Sequence, residues 1–286
     1  MIANSFHITT GDDHPVAADL YAPDPRKPVR RLVVLCHGFK GHRRWGFIPH
    51  LAERLCDAGI GSLALDFSHN GRITPGESVP EPSNGSFPDP DAFRDNTIAR
   101  ECSDLEAALG WIGSQPEAVL PAAPVGLWGH SRGGLVALIV ARARAGIDAV
   151  ATWSAGARPD RYTERQKARW RDAGALEFTD AATKTHLALG LDYLRDIEDN
   201  AGRYDAGAWA RDLAIPHLIV HGEMDLVVPV AEAFSLYDVP TIRADKKLIR
   251  LQTGHTFGFE GDVTDVLDKA TERSVSWFDH YLKVAE

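Results

Sequence analysis

Residues 124–134 read Pro124-Val125-Gly126-Leu127-Trp128-Gly129-His130-Ser131-Arg132-Gly133-Gly134. The apolar run through Trp128 predicts a strand. Leu135-Val136-Ala137-Leu138-Ile139-Val140 then predicts a helix from Ser131 to about Ala145. Gly-x-Ser-x-Gly between a strand and a helix is the context of a nucleophile elbow. Such a turn is too tight for side chains at its flanking positions, which accounts for Gly129 and Gly133. It lifts the Ser131 Oγ clear of the sheet, at the positive end of a helix. Outside that context, the same residues would read as a serine cap among packing glycines. A nucleotide-binding glycine loop is excluded, because there is neither a Lys-Ser/Thr ending nor dinucleotide glycine spacing.

Working outward, strand and helix patterns alternate. Arg30–Cys36 is nearly continuous in apolar residues, as suits a central parallel strand covered on both faces. Phe47, Ile48, Leu51, Ala52 and Leu55 have helical spacing, and Gly61–Phe67 reads as the next strand. Ile98, Cys102, Leu105, Leu109 and Ile112 share a face in a helix beginning near Phe93. Further strands are expected at 149–153, 216–220 and 247–251, and a closing helix carries Val263, Val266, Leu267, Ala270, Phe278 and Tyr281. Phe6–Ile8 and Val16–Tyr21 are short strands ahead of this series. The alternation predicts an α/β fold: a mostly parallel central sheet with helices on both faces, in a single domain spanning 1–286. Residues 155–211 interrupt it, with helical segments expected near 163–172 and 181–196, and read as a helical cap insertion rather than a second domain. A Pro-, Gly- and Ser-rich loop occupies about 68–90.

Composition narrows the function classes. The chain has 286 residues, which suffices for one well-filled core, and 40 acidic residues against 31 Lys and Arg give a net charge of −9. That balance argues against nucleic acid or an anionic membrane as a partner. No stretch has the length of a membrane span, and Met1–His7 has no signal-peptide pattern, so the expected location is cytoplasmic. The three cysteines are too scattered for a disulfide scaffold or a zinc site. No metal and no cofactor is expected, and a homodimer is left open.

A serine hydroxyl becomes a good nucleophile only when a base takes its proton and a carboxylate orients that base. Val220-His221-Gly222-Glu223-Met224-Asp225 closes one predicted strand, putting Asp225 on the same sheet edge as Ser131, with Glu223 as its rival. Gln252-Thr253-Gly254-His255-Thr256-Phe257 closes the last strand and supplies His255. His37 and His221 read as loop-shaping histidines, and His280 as a helix-surface one. Cys36-His37-Gly38-Phe39-Lys40-Gly41 follows another central strand, where the Phe39 amide can join that of Arg132 in an oxyanion hole.

With these motifs in place, the chain resembles the α/β-hydrolase superfamily over essentially its whole length. Within it the chain is similar to small bacterial esterases and to dipeptidyl-aminopeptidase/acylaminoacyl-peptidase-like hydrolases. The resemblance rests on His37-Gly38-Phe39, Gly129–Gly134, His221–Asp225 with Pro229, and Gly254-His255, and the order Ser, Asp, His is that superfamily's. It implies a serine hydrolase that cleaves small-molecule carboxylic esters, short-chain acyl or hydroxycinnamoyl, through an acyl-enzyme. Thioesterase or small peptidase activity is the alternative, and a non-catalytic binding scaffold the remote one. The propeller domain of oligopeptidases is absent.

The insertion enters at the crossover able to cover Ser131. Trp170 and Tyr193 from it, His69 from the long loop and Phe257 beside His255 are the candidate substrate-pocket residues; the other reading of Trp170 and Tyr193 is the insertion's own core, and that of His69 an ordinary polar loop. The arginines between 158 and 171 are read as a solvated, internally paired face, with a substrate carboxylate as their other use.

Overall fold

The computed structural model describes residues 2–11, 14–72, 87–116, 119–120, 123–181, 183–238, 244–259 and 262–284. Ten strands run in chain order: β1 (Ile2–Ile8), β2 (Val16–Tyr21), β3 (Leu32–Cys36), β4 (Gly61–Asp66), β5 (Val125–His130), β6 (Ala149–Trp153), β7 (Ala175–Thr179), β8 (His186–Gly190), β9 (His217–Gly222) and β10 (Lys246–Leu251). Eight form one sheet in the order β1-β2-β4-β3-β5-β6-β9-β10. The β1–β2 and β2–β4 pairings are antiparallel, and every later pairing is parallel. Strands β3, β4, β5, β6 and β9 are buried along their whole length, because helices cover both faces. The parallel strands all end at one edge, so the loops after β3, β4, β5, β6, β9 and β10 meet there.

The helices are α1 (Ile48–Asp57), α2 (Pro90–Asp95), α3 (Ile98–Ser114), α4 (Arg132–Ala143), α5 (Glu164–Ala173), α6 (Leu191–Asp199), α7 (Ala201–Tyr204), α8 (Ala206–Trp209), α9 (Val230–Tyr237) and α10 (Asp265–Tyr281). Leu105, Leu109, Leu135, Leu138 and Leu236, from α3, α4 and α9, fill one face with Val34 and Leu127. Ile48, Leu51 and Leu55 of α1 and Leu267, Ala270 and Phe278 of α10 fill the other with Leu35 and Trp128. Helices α1, α3 and α10 thus bury most of the stripe that their spacing predicts; Val263, expected in the closing helix, instead lies exposed ahead of α10, which begins at Asp265.

Three features depart from the sequence expectation. Strand β5 continues through His130 and so runs directly into Ser131. The helix expected from Phe93 is two helices: Asn96 is extended, and the Thr97 hydroxyl caps α3 by accepting from the Arg100 amide. The helix expected over 181–196 is instead a β7–β8 hairpin followed by α6. Gly174, left-handed at φ 76°, stops α5. Buried Leu187 and Leu189 alternate with the side chains between them at a period of two, and Asp180 closes the turn by accepting from the Thr183 amide and hydroxyl. Most of the long loop, at 73–86, lies outside the described residues.

The strand-to-helix turn leaves no room for side chains. A Cβ on Gly129 would run into the Gly133 carbonyl, and one on Gly133 into the carbonyls of Cys36 and His37. Gly110, inside α3, has nothing within 4 Å of its would-be Cβ. Gly133→Ala is therefore expected to destabilise the fold by about 3 kcal/mol or more, since only backbone can give way. Gly110→Ala is expected to stabilise it by about 0.5–1 kcal/mol through helix propensity. Urea unfolding midpoints measure both, and equal shifts of the same sign would contradict this packing.

Candidate active site

Ser131 caps α4 in the conformation φ 54°, ψ −121°, which non-glycine residues rarely adopt. Its amide donates to the Trp153 carbonyl at 2.8 Å, locking the turn onto the end of β6. The side chain is not sealed in: Ser131 keeps 9 % exposure and lines a cavity of about 820 Å³. Gly38 passes so close that a Cβ there would lie 3.0 Å from the Ser131 Cβ.

His255 lines the same cavity from the loop after β10. Its Nδ1 lies 2.7 Å from Asp225 Oδ2. Asp225 sits on the loop after β9, where its other oxygen accepts from the amides of Val227 at 2.9 Å and Val228 at 2.8 Å. Burial alone would push the Asp225 carboxyl up. The His255 hydrogen bond and charge and the Val228 amide outweigh it and hold the carboxyl below the usual range, so it stays ionised. His221 Nε2 donates to the Val228 carbonyl at 2.8 Å and fixes the loop. Glu223 turns away, pairing with Arg250 at 2.9 Å and with Gln252. Of the two candidate carboxylates, the structure brings Asp225 to the histidine.

His130, to which the sequence reading gave no role, supports His255 from below. Its Nε2 donates to the His255 carbonyl at 3.0 Å, and its ring lies 4.7 Å from the His255 ring and 5.6 Å from Trp45. Burial pushes its pKa down to about 3, so the ring is neutral. Its position between Gly129 and Ser131 was a signal that this side chain lies under the site, but its partner comes from a distant loop.

The loop after β3 carries Phe39 past Ser131. His37 shapes it: Nδ1 donates to the Gly38 carbonyl at 2.8 Å, and Nε2 accepts from the Phe67 amide at 3.2 Å. Phe39 lines the cavity, while Arg132 opens α4 immediately after Ser131. The Arg132 guanidinium lies 4.1 Å above the Phe39 ring. Lys40 and Arg72 line the far wall, and Asp180, Ala181, Thr183 and Thr185 of the β7–β8 turn line the mouth.

The four expected pocket residues are not among those lining this cavity. Phe257 is fully buried between Phe47 and Trp153, because its positive φ of 56° turns it into the core. Trp170 stacks on Tyr193 and donates from its indole to the Leu189 carbonyl, so both are buried in the core that the insertion shares with the helices on that face of the sheet. His69 is buried beside His14, with its Nδ1 2.8 Å from the Ser68 hydroxyl. The hairpin turn contributes the wall these residues were expected to form, and it lay inside a segment read as helix. Among the described residues, no group of three or more His, Cys, Asp or Glu is placed to hold a metal ion, and no helix is long and apolar enough to cross a membrane.

Known proteins share this arrangement of strands. Est1E from Butyrivibrio proteoclasticus with bound ferulic acid is 20 % identical, superimposes with a TM-score of 0.68, and the match covers 96 % of this chain and 98 % of that one. A monoacylglycerol lipase from Paleococcus ferrophilus is 18 % identical with a TM-score of 0.65, over 93 % and 98 % of the two chains. A probable dipeptidyl-peptidase 5 of Emericella nidulans is 48 % identical over 46 residues, so the match spans 15 % of this chain and only 6 % of that protein's length. Residues 33–268, from β3 into α10, match the alpha/beta hydrolase family as a whole. The chain belongs to the alpha/beta hydrolase family.

Proposed function

We propose that the protein is a serine hydrolase that cleaves small carboxylic esters, of short-chain acyl or hydroxycinnamoyl type, through an acyl-enzyme intermediate. The observation that carries this reading is the 2.7 Å pair of Asp225 with His255 Nδ1, in the cavity that Ser131 also lines. With Nδ1 engaged by the carboxylate, the neutral histidine presents its Nε2 lone pair as a base. Nε2 takes the Ser131 proton as Oγ attacks the acyl carbonyl. The amides of Phe39 and Arg132 hold the oxyanion, and Asp225 stabilises the imidazolium that forms. The imidazolium then protonates the departing alcohol. The same base afterwards activates water to release the acid and free Ser131.

Residues 155–211 act in this reading as a cap within a single domain, and the β7–β8 turn is the part that meets substrate. The ferulic acid bound to Est1E supports an aryl-acyl ester as one substrate to try, on a shared fold. The described cysteines, Cys36, Cys56 and Cys102, are free thiols, which accords with a cytoplasmic setting.

Three outcomes follow. Ser131→Ala is expected to abolish labelling by a fluorophosphonate probe and turnover of p-nitrophenyl butyrate while leaving the unfolding midpoint nearly unchanged. Turnover close to the parent's would exclude Ser131 as nucleophile. Asp225→Asn is expected to lower kcat by roughly 10³–10⁴-fold, because the histidine loses the partner that fixes its tautomer. Glu223→Gln removes only a solvent-facing ion pair and is expected to cost less than about threefold. A larger loss in E223Q than in D225N would reassign the acid. Ala181→Phe narrows the cavity mouth and is expected to lower kcat/KM for methyl ferulate relative to p-nitrophenyl acetate by roughly 10–100-fold. An unchanged ratio would remove the turn from the substrate path.

A further inference from the structure

The two residues whose amides are proposed to hold the oxyanion come from separate chain segments. Phe39 lies on the loop after β3 and Arg132 at the start of α4. Their amides must converge on one oxygen to within a few tenths of an ångström, yet nothing in the covalent chain couples them. Their side chains do. The Arg132 guanidinium lies 4.1 Å from the centroid of the Phe39 ring, within cation–π range. The guanidinium is itself fixed from the other side. Its Nη1 donates to Glu101 Oε1 on α3 at 3.1 Å, and that oxygen also accepts from Asn96 Nδ2 at 2.8 Å. Tyr193 closes the stack, with its ring 5.0 Å from the guanidinium.

Phe39, which is half-buried and opens onto the cavity, also packs against Phe93 at 5.4 Å and Phe178 at 5.6 Å. The ring is thus pinned between aromatic side chains and a cation. Glu101 is a buried carboxylate that pairs with Arg132 and accepts from Asn96, so it anchors the guanidinium from the interior. A buried pair of this kind contributes little net stability and is better explained by what it positions.

We propose that the Arg132 side chain is a positioning residue for the oxyanion hole: lying on Phe39 and anchored by Glu101, it sets the spacing of the two amides. The proposal rests on the ester-hydrolase reading above. Arg132 then serves twice, its backbone N–H touching the oxyanion and its guanidinium placing the other donor. Transition-state stabilisation depends steeply on donor position, whereas ground-state binding of an ester depends on the cavity walls. Loosening the clamp therefore falls on kcat and spares KM.

The test is a double-mutant cycle of Arg132→Met and Phe39→Leu, with Arg132→Lys and Glu101→Gln alongside. Steady-state hydrolysis of p-nitrophenyl butyrate, fluorophosphonate labelling rates and unfolding midpoints are measured for each protein. R132M, whose side chain is not among those lining the cavity, is expected to lower kcat roughly 10–100-fold with KM within about threefold of the parent; F39L, which also trims a cavity wall, is expected to lower kcat to a similar extent and is compared on kcat alone. The double variant is expected to be no more than about threefold worse than the poorer single one, because both remove the same contact. R132K, which keeps the charge but lacks the planar fork, is expected to fold like the parent and recover only part of kcat. E101Q, which replaces the charged anchor of the guanidinium by a weaker neutral acceptor without changing either donor residue, is expected to lower kcat in the same sense. Losses of kcat that multiply in the double variant, or a loss in R132M matched by an equal rise in KM, overturn the clamp. So does a parent-like kcat in E101Q and R132K together, which also decides the matter if R132M fails to fold. A parent protein that neither labels nor hydrolyses esters overturns the function reading itself. A parent that labels and turns over, with additive variants, overturns the clamp alone.

Discussion

The approach of the Gly133 backbone to the carbonyls of Cys36 and His37 sets the geometry of the whole sheet edge. Helix α4 can begin this close to the end of β3 only without a side chain at that position. Gly129 and Gly134 extend the contact, the first against the Gly133 carbonyl and the second against Ala155. Once the helix is pressed there, the connection from β5 has one residue in which to reverse, and Ser131 takes the strained φ of 54°. The strain is held by packing on both sides of the turn and by the bond from the Ser131 amide to Trp153. The same approach brings the positive end of α4 beside the loop that carries Phe39. The position of Ser131, the helix terminus and the course of the Phe39 loop are therefore consequences of one backbone contact.

That loop is also tied down from beneath, by charge rather than by apolar packing. Arg43 is only 1 % exposed, and it pairs with Asp66 at the end of β4 and with Asp19 on β2. The Arg43 amide donates to the same Asp66, and Arg44 also pairs with Asp19. Carrying such ions out of water costs several kcal/mol each, so the group fixes a conformation more than it adds stability. Removing one partner would strand a buried charge at a cost of about 3–5 kcal/mol. His37 lies beside this network and is kept neutral by burial, although the charge of Asp66 opposes that. Its neutrality is structural: a proton on Nε2 would face the Phe67 amide that now donates to it.

How far the sequence reveals the fold and the site depends on whether a feature is set by local pattern or by distant contact. The central strands, the elbow and the loop bearing Asp225 are legible because each belongs to or follows an apolar run buried along its length, and the His255 loop because it follows the last strand candidate, β10, which is only partly buried. The β7–β8 hairpin is not, since Ala181 and the threonines around it tolerate either conformation and Asp180 decides through a turn bond. Phe257 looks like a pocket wall by adjacency to His255, but a single positive φ turns it into the core. Trp170 and Tyr193 fit either a pocket roof or a core by sequence, and the structure gives the core, because the two large rings pack on each other. His130 escapes notice for the opposite reason, as its partner is a backbone carbonyl 125 residues away.

The hairpin bears on how catalysis and selectivity relate. Lys40, one residue after Phe39, bridges to Asp180 at 2.7 Å, and Phe178 packs on Phe39 itself. Burial pushes the Asp180 carboxyl up, but Lys40 and Thr183 bring it down to about 2, so the bridge stays ionised across the ordinary pH range. The β7–β8 turn and the loop carrying Phe39 are consequently one packed unit, and in the proposed mechanism that loop holds the oxyanion. A substrate that displaces the turn also pulls on Phe39, and through its ring on Arg132. Poorly fitting acyl groups would then lose transition-state stabilisation as well as binding. Selectivity exerted in this way is expressed in kcat, where a separate recognition pocket would express it mainly in KM.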